Sequence, residues 1–294
     1  MEYLSLNRYL RERFGCKVYK VSINGGFTCP NRDGTIDTRG CVFCSGYGSG
    51  DFAEDASLSV REQIERGKRR VDKKMPKNIS ERKYIAYFQA FTNTYAPVEK
   101  LRKLYMEAVD HPDVVVLSIA TRPDCLPEEV LDLLEEINEI KPVWVELGLQ
   151  TIHKKSADYI RRGYELSVYD EAVSELKNRN IEVITHVILG LPGETEEEML
   201  DTVRYVYKSG VNGIKLQLLH VIEGTDLAKD YEDRRFSCMT LEEYVNIIHD
   251  CLKNLPKDIV IHRMTGDGDK KTLIAPMWST DKKKVLNAIN KILL

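Results

Sequence analysis

The chain has 294 residues, of which 43% are hydrophobic and 30% are charged, the usual balance of a globular protein. Its length fits one barrel-sized domain of about 200 to 250 residues, or two smaller ones, and does not require disulfide bonds for stability. With 43 Lys and Arg against 46 Asp and Glu, the net charge is −3, so overall charge gives no sign of a nucleic-acid-binding protein, although a local basic patch remains open.

Six apolar runs rich in Val, Ile, Leu and Tyr predict the strands. In chain order they are Val18–Ile23, Tyr84–Phe88, Val114–Ile119, Val143–Leu149, Val183–Leu189 and Ile214–Leu219. Near-continuous apolar runs are typical of strands that are buried on both faces, as in a parallel sheet.

The segments between these runs have the spacing and end signals of helices. Two capping-box pairs mark helix starts, and two further stretches carry an apolar face at helical spacing: Ser59 with Glu62, Thr195 with Glu198, Val130–Ile137 and Asp170–Asn178. Right-handed βα units in this order predict an α/β fold, a partial (β/α)6 TIM-like barrel of parallel strands. An open doubly wound sheet is the alternative.

The alternation weakens after about residue 225. A helix is predicted over Thr240–Leu255, a short strand over Ile259–Ile261 and a last helix over Lys282–Ile292. We therefore expect a barrel over residues 1–225, with a cysteine loop over residues 24–50, and a short α/β C-terminal extension over residues 226–294 that packs on the barrel.

The N-terminus lacks the apolar stretch of a signal peptide, and no run of about 18 apolar residues predicts a membrane span. We therefore expect a cytoplasmic protein, in which clustered thiols serve as metal ligands or catalysts rather than disulfides. Three of the seven cysteines, Cys29, Cys41 and Cys44, follow the first strand with the spacing C-x11-C-x2-C. In parallel barrels, loops at this end of the strands form the active-site face.

Two metal sites are compatible with three clustered thiols. A structural zinc site requires four ligands, and Cys16 is available as the fourth. An iron–sulfur cluster held by three thiolates leaves one iron free to bind a small molecule. The glycines around the cysteines, which allow the backbone to approach a bulky group closely, favour the cluster.

Four stretches carry a resemblance to a known family: FTCPNRDG at 27–34, YFQAFTNTY at 87–95, TRPD at 121–124 and HVILGLPGET at 186–195. They resemble the YhcC/YtqA (MnmL-type) family of radical S-adenosylmethionine (SAM) proteins, which is related to the elongator catalytic subunit. The resemblance implies a [4Fe–4S] cluster on Cys29, Cys41 and Cys44, with SAM bound at the fourth iron.

The resemblance also implies contacts to SAM from the ends of successive strands. The candidates are Gln89, Arg122, Glu146, Gln150, Arg162, Gly190 and Pro192. For Gln89 the alternative is a strand cap, for Arg122 a salt bridge at a helix start, and for Glu146 a buried polar network. Candidate substrate contacts near the strand ends are Arg161, Gly163, His220, His262, Arg263 and Asp267, and a basic run at residues 68–74 is a candidate RNA contact.

By resemblance, flavodoxin or ferredoxin supplies an electron, SAM is cleaved, and the 5′-deoxyadenosyl radical takes a hydrogen atom from the substrate. The related branch suggests a tRNA substrate, in which carboxymethylaminomethyl on wobble uridine becomes aminomethyl. The alternatives are a radical SAM enzyme acting on a small metabolite and a zinc-bound RNA-binding protein.

Overall fold

The computed structural model of the protein describes residues 2–48, 53–73, 82–266, 268 and 270–293. Residues 49 and 50 of the predicted cysteine loop, Lys74 of the basic run and the candidate substrate contact Asp267 lie outside the described residues.

Eight parallel strands form one sheet that curls into a half-barrel. Their order across the sheet is β1-β9-β7-β6-β5-β4-β3-β2, with these bounds: β1 Leu4–Ser5, β2 Val18–Ile23, β3 Lys83–Phe88, β4 Val114–Thr121, β5 Val143–Gln150, β6 Glu182–Leu189, β7 Gly213–Leu218 and β9 Val260–Arg263. A separate antiparallel pair joins β8 Val221–Ile222 to β10 Leu273–Ala275. The predicted partial barrel is thus confirmed. The sheet also includes β1 and β9, of which β9 overlaps the short strand predicted over Ile259–Ile261.

The helices cover the outside of the sheet, as right-handed crossovers require. Their bounds are α1 Leu6–Phe14, α2 Val60–Asp72, α3 Val98–Val109, α4 Glu128–Ile140, α5 Lys154–Tyr159, α6 Leu166–Asn178, α7 Glu196–Lys208, α8 Asp226–Glu232, α9 Leu241–Asn254 and α10 Lys282–Leu293. Both predicted capping boxes are present, with Ser59 and Thr195 as N-caps. Helix α4 begins directly after Pro127, which is its N-cap.

The C-terminal part of the chain is joined to the barrel through the sheet. Strand β9 pairs in parallel with β7, and β1 pairs with β9. Helices α9 and α10 pack against each other. The division at residue 225 therefore stays a prediction about domain organisation, although the sheet crosses it.

Side chains that face the barrel interior form layers, because alternate residues of a strand point to the same face. The layer at the N-terminal ends of the strands is apolar and packs on Leu10 of α1: Val18, Ile85, Val116, Trp144 and Ile184. Two residues further along each strand lies what we call the polar layer: Lys20, Tyr87, Ser118, Glu146, His186 and Lys215. Helix α1 and the apolar layer thus close one end of the barrel beneath the polar layer.

Gly67 sets how closely α2 approaches the sheet. A Cβ at this position would overlap Cγ1 of Val21 on β2. We expect Gly67→Ala to lower the free energy of unfolding by about 1 to 2 kcal/mol, because overpacking outweighs the gain of roughly 1 kcal/mol in helix propensity. Urea denaturation measures this, with the exposed Arg69→Ala on the same helix as control. A stabilised Gly67→Ala variant would show that Val21 moves aside freely.

Candidate functional site

The eleven residues between Cys29 and Cys41 fold into a compact loop that is closed by its own hydrogen bonds. The amide of Arg32 donates to the Cys29 carbonyl at 2.8 Å, and the amide of Gly40 donates to the Asn31 carbonyl at 2.7 Å. The guanidinium of Arg32 then donates to the carbonyls of Cys44 and Ser45 at 2.8 and 2.7 Å. These hydrogen bonds bring Cys29 and the pair Cys41 and Cys44 together, although eleven residues separate Cys29 from Cys41.

Asn31 joins the cysteine loop to the chain that follows β5. Its side-chain Nδ2 donates to the carbonyl of Arg161 at 2.7 Å and lies 3.5 Å from Sγ of Cys41. Gly40 has a φ of +75°, and a Cβ there would come within 2.9 Å of Nε of Arg32. Only glycine fits this turn without moving the arginine that closes the loop.

Cys29, Cys41 and Cys44 all line one cavity of about 790 Å³ inside the half-barrel. Burial raises the pKa of the Cys41 thiol to about 11, and the charge of the neighbouring Cys44 acts in the same direction. Within the described part of the chain, no three His, Cys, Asp or Glu side chains converge closely enough to hold a single metal ion. The three thiols instead share a cavity wall, an arrangement that fits separate corners of a multi-iron cluster.

Cys16 lies at the opposite end of β2 from the cysteine loop. It precedes the strand, which begins at Val18, whereas the loop follows the end of the strand at Ile23. A six-residue strand spans about 20 Å, so the two ends cannot supply ligands to one ion. The structure thus weighs against the four-cysteine zinc site that the sequence left open.

The polar layer is organised around the carboxylate of Glu146, which is fully buried. Oε1 accepts hydrogen bonds from Nζ of Lys20 and Oγ of Ser118, both at 2.7 Å. Oε2 lies 2.8 Å from Nε2 of His186 and also accepts from Nζ of Lys215. The buried polar network that the sequence offered as the alternative for this residue is therefore present, and its members include two lysines and a histidine.

The charges of the polar layer follow from these contacts. Burial alone raises the pKa of Glu146, but the charges of Lys20 and Lys215 overcome that effect and hold the pKa well below its usual range. Burial and the charge of Lys215 lower the pKa of His186 to about 4. At neutral pH, the layer therefore contains a carboxylate and a neutral imidazole. Burial lowers the pKa of Lys215 well below its ordinary value, while the charge of Glu146 acts in the opposite direction.

Five of the seven predicted SAM-contact residues line the same cavity as the cysteines: Gln89, Arg122, Glu146, Gln150 and Arg162. Gln150 has a φ of +71°, and its buried Oε1 has no hydrogen-bond partner among the described residues. A buried acceptor without a partner costs about 1 to 3 kcal/mol. Gln150 is therefore suited to accept a hydrogen bond from a ligand.

The two arginines among the predicted SAM contacts already have acceptors. Arg122 forms a bidentate salt bridge with Asp124, in which Nε and Nη2 donate to the two carboxylate oxygens at 2.9 and 2.7 Å. This is the salt-bridge alternative that the sequence offered. Arg162 donates to the carbonyls of Thr151 and Tyr164 at 2.6 and 3.0 Å. A role for either guanidinium in binding SAM stays a prediction.

Gly190 and Pro192 are not among the residues that line this cavity. Gly190 has a φ of +87°, and its amide points to Sδ of Met199 at 3.1 Å. Their predicted contact with SAM therefore stays a prediction. Of the candidate substrate contacts, His220 and Arg263 line the cavity, whereas His262 packs edge-on against Trp144 with ring centroids 5.2 Å apart.

The cavity is strongly basic although the whole chain is slightly acidic. Nine of its described lining residues are Lys or Arg, and one, Glu146, is acidic. Three of the basic side chains, Arg70, Lys270 and Lys282, are exposed, while Lys215 is buried. The local basic patch that overall charge left open is therefore present at this site.

The described helices contain no segment long and apolar enough to cross a membrane.

Comparison with known proteins gives family matches over most of the chain. A family model described as the Radical SAM superfamily matches residues 29–206, and one described as the Radical_SAM C-terminal domain matches residues 211–294. Protein YtqA of Bacillus subtilis (strain 168) is 47% identical over 98% of this chain and 88% of its own length. Protein YhcC of Escherichia coli (strain K12) is 39% identical over 93% and 86%.

Two more distant matches are a sequence similarity to a tRNA-modifying protein and a structural similarity to a solved structure. A tRNA uridine(34) acetyltransferase of Methanocaldococcus jannaschii is 26% identical over 52% of this chain and 28% of its own. The solved structure of Methanocaldococcus infernus Elp3, lacking its N-terminus, superposes with a TM-score of 0.63 at 18% identity. That alignment covers 94% of this chain and 63% of the Elp3 chain, and it supports the fold alone.

Proposed function

The chain belongs to the radical SAM superfamily, whose members use a [4Fe–4S] cluster and SAM, and we propose that it modifies the C5 substituent of wobble uridine in tRNA. In this proposal Cys29, Cys41 and Cys44 hold the cluster. The reaction converts a carboxymethylaminomethyl group to an aminomethyl group by a two-electron oxidation in which SAM is the oxidant. The methylene beside the carboxylate loses one hydrogen atom and one electron, and water then breaks its bond to nitrogen and releases the two carbons as glyoxylate. When bound, the two cofactors supply a 5′-deoxyadenosyl radical that removes a hydrogen atom from the substrate.

The observation that carries the proposal is the charge of the cavity. Nine basic residues and one acidic residue line it in a chain whose net charge is −3. Because charge of one sign in a cleft attracts ligands of the opposite sign, this cavity favours a polyanion. Among the exposed basic side chains, Lys270 is suited to a phosphate group of a nucleic-acid backbone, whereas Arg70 is paired with Glu54.

Two further observations agree with an RNA substrate. Tyr47, on the cysteine loop beside the cavity residue Gly48, exposes 71% of its surface, and an exposed aromatic ring suits stacking on an unpaired base. Half of the chain is also similar to a tRNA uridine(34) acetyltransferase, a protein named for the wobble position.

The residues of the chain have separate tasks in this scheme. The half-barrel surrounds the reacting groups with buried side chains, which limits the access of water to a radical. Gln150 offers its unpaired Oε1 to a ligand donor. An external one-electron donor of the flavodoxin or ferredoxin type is the expected partner.

Nucleoside analysis of tRNA from a deletion strain tests the proposal. We expect carboxymethylaminomethyluridine to accumulate and aminomethyluridine to disappear, and a plasmid copy of the gene to reverse both changes. The anaerobically reconstituted protein should then perform the conversion on that tRNA with SAM and a reductant. An unchanged wobble-uridine profile would reject the tRNA substrate and favour a small metabolite instead.

A further inference from the structure

The polar layer lies at the closed end of the cavity, where the reacting end of a long substrate would arrive. Helix α1 and the apolar layer block the barrel below it, and the cavity opens above it. Lys20 lies three residues before the end of β2 at Ile23, which corresponds to about 10 Å. A group bound at Lys20 therefore sits between the closed end and the level at which the cysteine loop begins.

Positive charge exceeds negative charge in and beside this layer. Glu146 is the one acidic residue among the described residues that line the cavity, whereas Lys20, Lys215 and Arg263 are basic. The positive charge of Arg263 acts to lower the pKa of both Tyr87 and Lys215. Basic side chains thus outnumber carboxylates by three to one among the described residues in and beside the layer.

The lysines also have hydrogen-bond donors to spare. An ammonium group has three N–H donors. Nζ of Lys20 has Glu146 as its acceptor among the described residues, and it lies 4.5 Å from the centroid of the Tyr87 ring. Nζ of Lys215 donates to Glu146 and, at 3.1 Å, to the Tyr87 hydroxyl. Three N–H donors, two on Lys20 and one on Lys215, thus remain for a ligand.

Glu146 holds these two ammonium groups side by side, since each of its oxygens accepts from one of them. The side chain of Lys20 keeps 23% of its surface exposed, and that of Lys215 keeps 5%. Two lysine side chains whose N–H donors are fixed side by side in a mostly desolvated place are suited to a carboxylate, because hydrogen bonds to a charged acceptor strengthen where water is excluded.

We propose that Lys20 and Lys215 form a carboxylate-binding subsite that holds the carboxymethyl end of the uridine substituent. The inference rests on the proposed function for the identity of the substrate. It adds the means by which the enzyme distinguishes a substituent that ends in a carboxylate from one that does not. It also places the methylene next to that carboxylate just above the polar layer, on the side of the cysteine loop.

The experiment measures binding without turnover. Two nucleosides, 5-carboxymethylaminomethyluridine and 5-methylaminomethyluridine, are titrated separately into the reconstituted holoenzyme with SAM and without reductant. They share the secondary amine and differ in the carboxylate. We expect the wild type to bind the first about tenfold more tightly, a preference that a charge-assisted contact supplies.

Three variants locate that preference. Lys20→Gln should bind both nucleosides with equal affinity, Lys20→Arg should retain most of the preference, and the exposed Lys17→Gln just before β2 should behave as wild type. Because the preference is a ratio within one protein, general loss of folding lowers both affinities and leaves the ratio intact. A Lys20→Gln variant that keeps the wild-type ratio, or a wild type without any preference, overturns the subsite.

The result separates this inference from the function on which it rests. If tRNA is processed while Lys20→Gln keeps the preference, the subsite is wrong and the function stands. If the nucleoside preference depends on Lys20 while the wobble-uridine profile of the deletion strain is unchanged, the subsite stands and the tRNA substrate is wrong.

Discussion

Replacing Cys41 by Ala is expected to leave the protein folded and to abolish SAM cleavage. The variant keeps two of the three thiols that line the cavity, and a cubane with too few protein ligands is not retained. After anaerobic reconstitution, the wild type should hold about four irons per chain and be brown, whereas Cys41→Ala should be nearly colourless. Production of 5′-deoxyadenosine from SAM with a chemical reductant should fall to background.

Cys16→Ala is the matched control, because it removes a thiol from the other end of β2. Iron content, colour and SAM cleavage should all equal those of the wild type. A zinc site built from four cysteines would give a colourless metalloprotein that loses its metal in both variants. Full iron loading of Cys41→Ala would instead show that the cluster lies elsewhere.

The strands of the barrel were predictable because burial on both faces leaves a mark in the sequence. The run Val18–Ile23 was predicted with the bounds that the structure has, and the other five predicted strands differ from those in the structure by at most two residues at either end. Strand β1 has two residues, and β8 has two. Runs so short carry no periodicity, and their position depends on partners far away in the chain.

The grouping of Cys29, Cys41 and Cys44 around one cavity was predictable from their spacing, but the fold of the loop between them was not. The loop depends on Asn31 and Arg32, whose acceptors are backbone carbonyls of residues 161, 162, 44 and 45. Backbone carbonyls are present at every position, so nothing in the sequence marks the ones that are used. The resemblance to a family therefore identified the site without explaining how an eleven-residue gap closes.

Of the polar layer, Glu146 was predicted from the sequence, but its lysine partners were not. Glu146 was singled out because a charged residue in a buried strand needs partners, and the same rule applied to Lys20 in β2 and Lys215 in β7 would have supplied those partners. The alternation of inward and outward residues places all three on the inner face. Alternation does not give the register between neighbouring strands. The register determines that one carboxylate contacts two lysines and a histidine.

Replacing Glu146 by Ala is expected to lower the free energy of unfolding by about 3 to 5 kcal/mol, the cost of leaving buried charges without their counter-ion. Lys215 keeps 5% of its side-chain surface exposed, so it cannot turn to water for compensation. Urea denaturation at neutral pH measures the loss. The control is Glu165→Ala, whose partner Lys154 is 70% exposed and whose loss should cost less than about 1 kcal/mol.

The pH dependence of the free energy of unfolding that Glu146→Ala loses identifies the cause of the loss. Lys20 and Lys215 hold the pKa of Glu146 in the folded protein well below the ordinary value of 4.5. A carboxyl group with a lowered folded pKa contributes stability that is fully present above its unfolded pKa and is lost as the pH falls toward its folded pKa. The difference between wild type and Glu146→Ala should therefore be constant near neutral pH and shrink below about pH 4. A difference that stays the same down to acid pH would mean that Glu146 stabilises the barrel by packing and not by its charge.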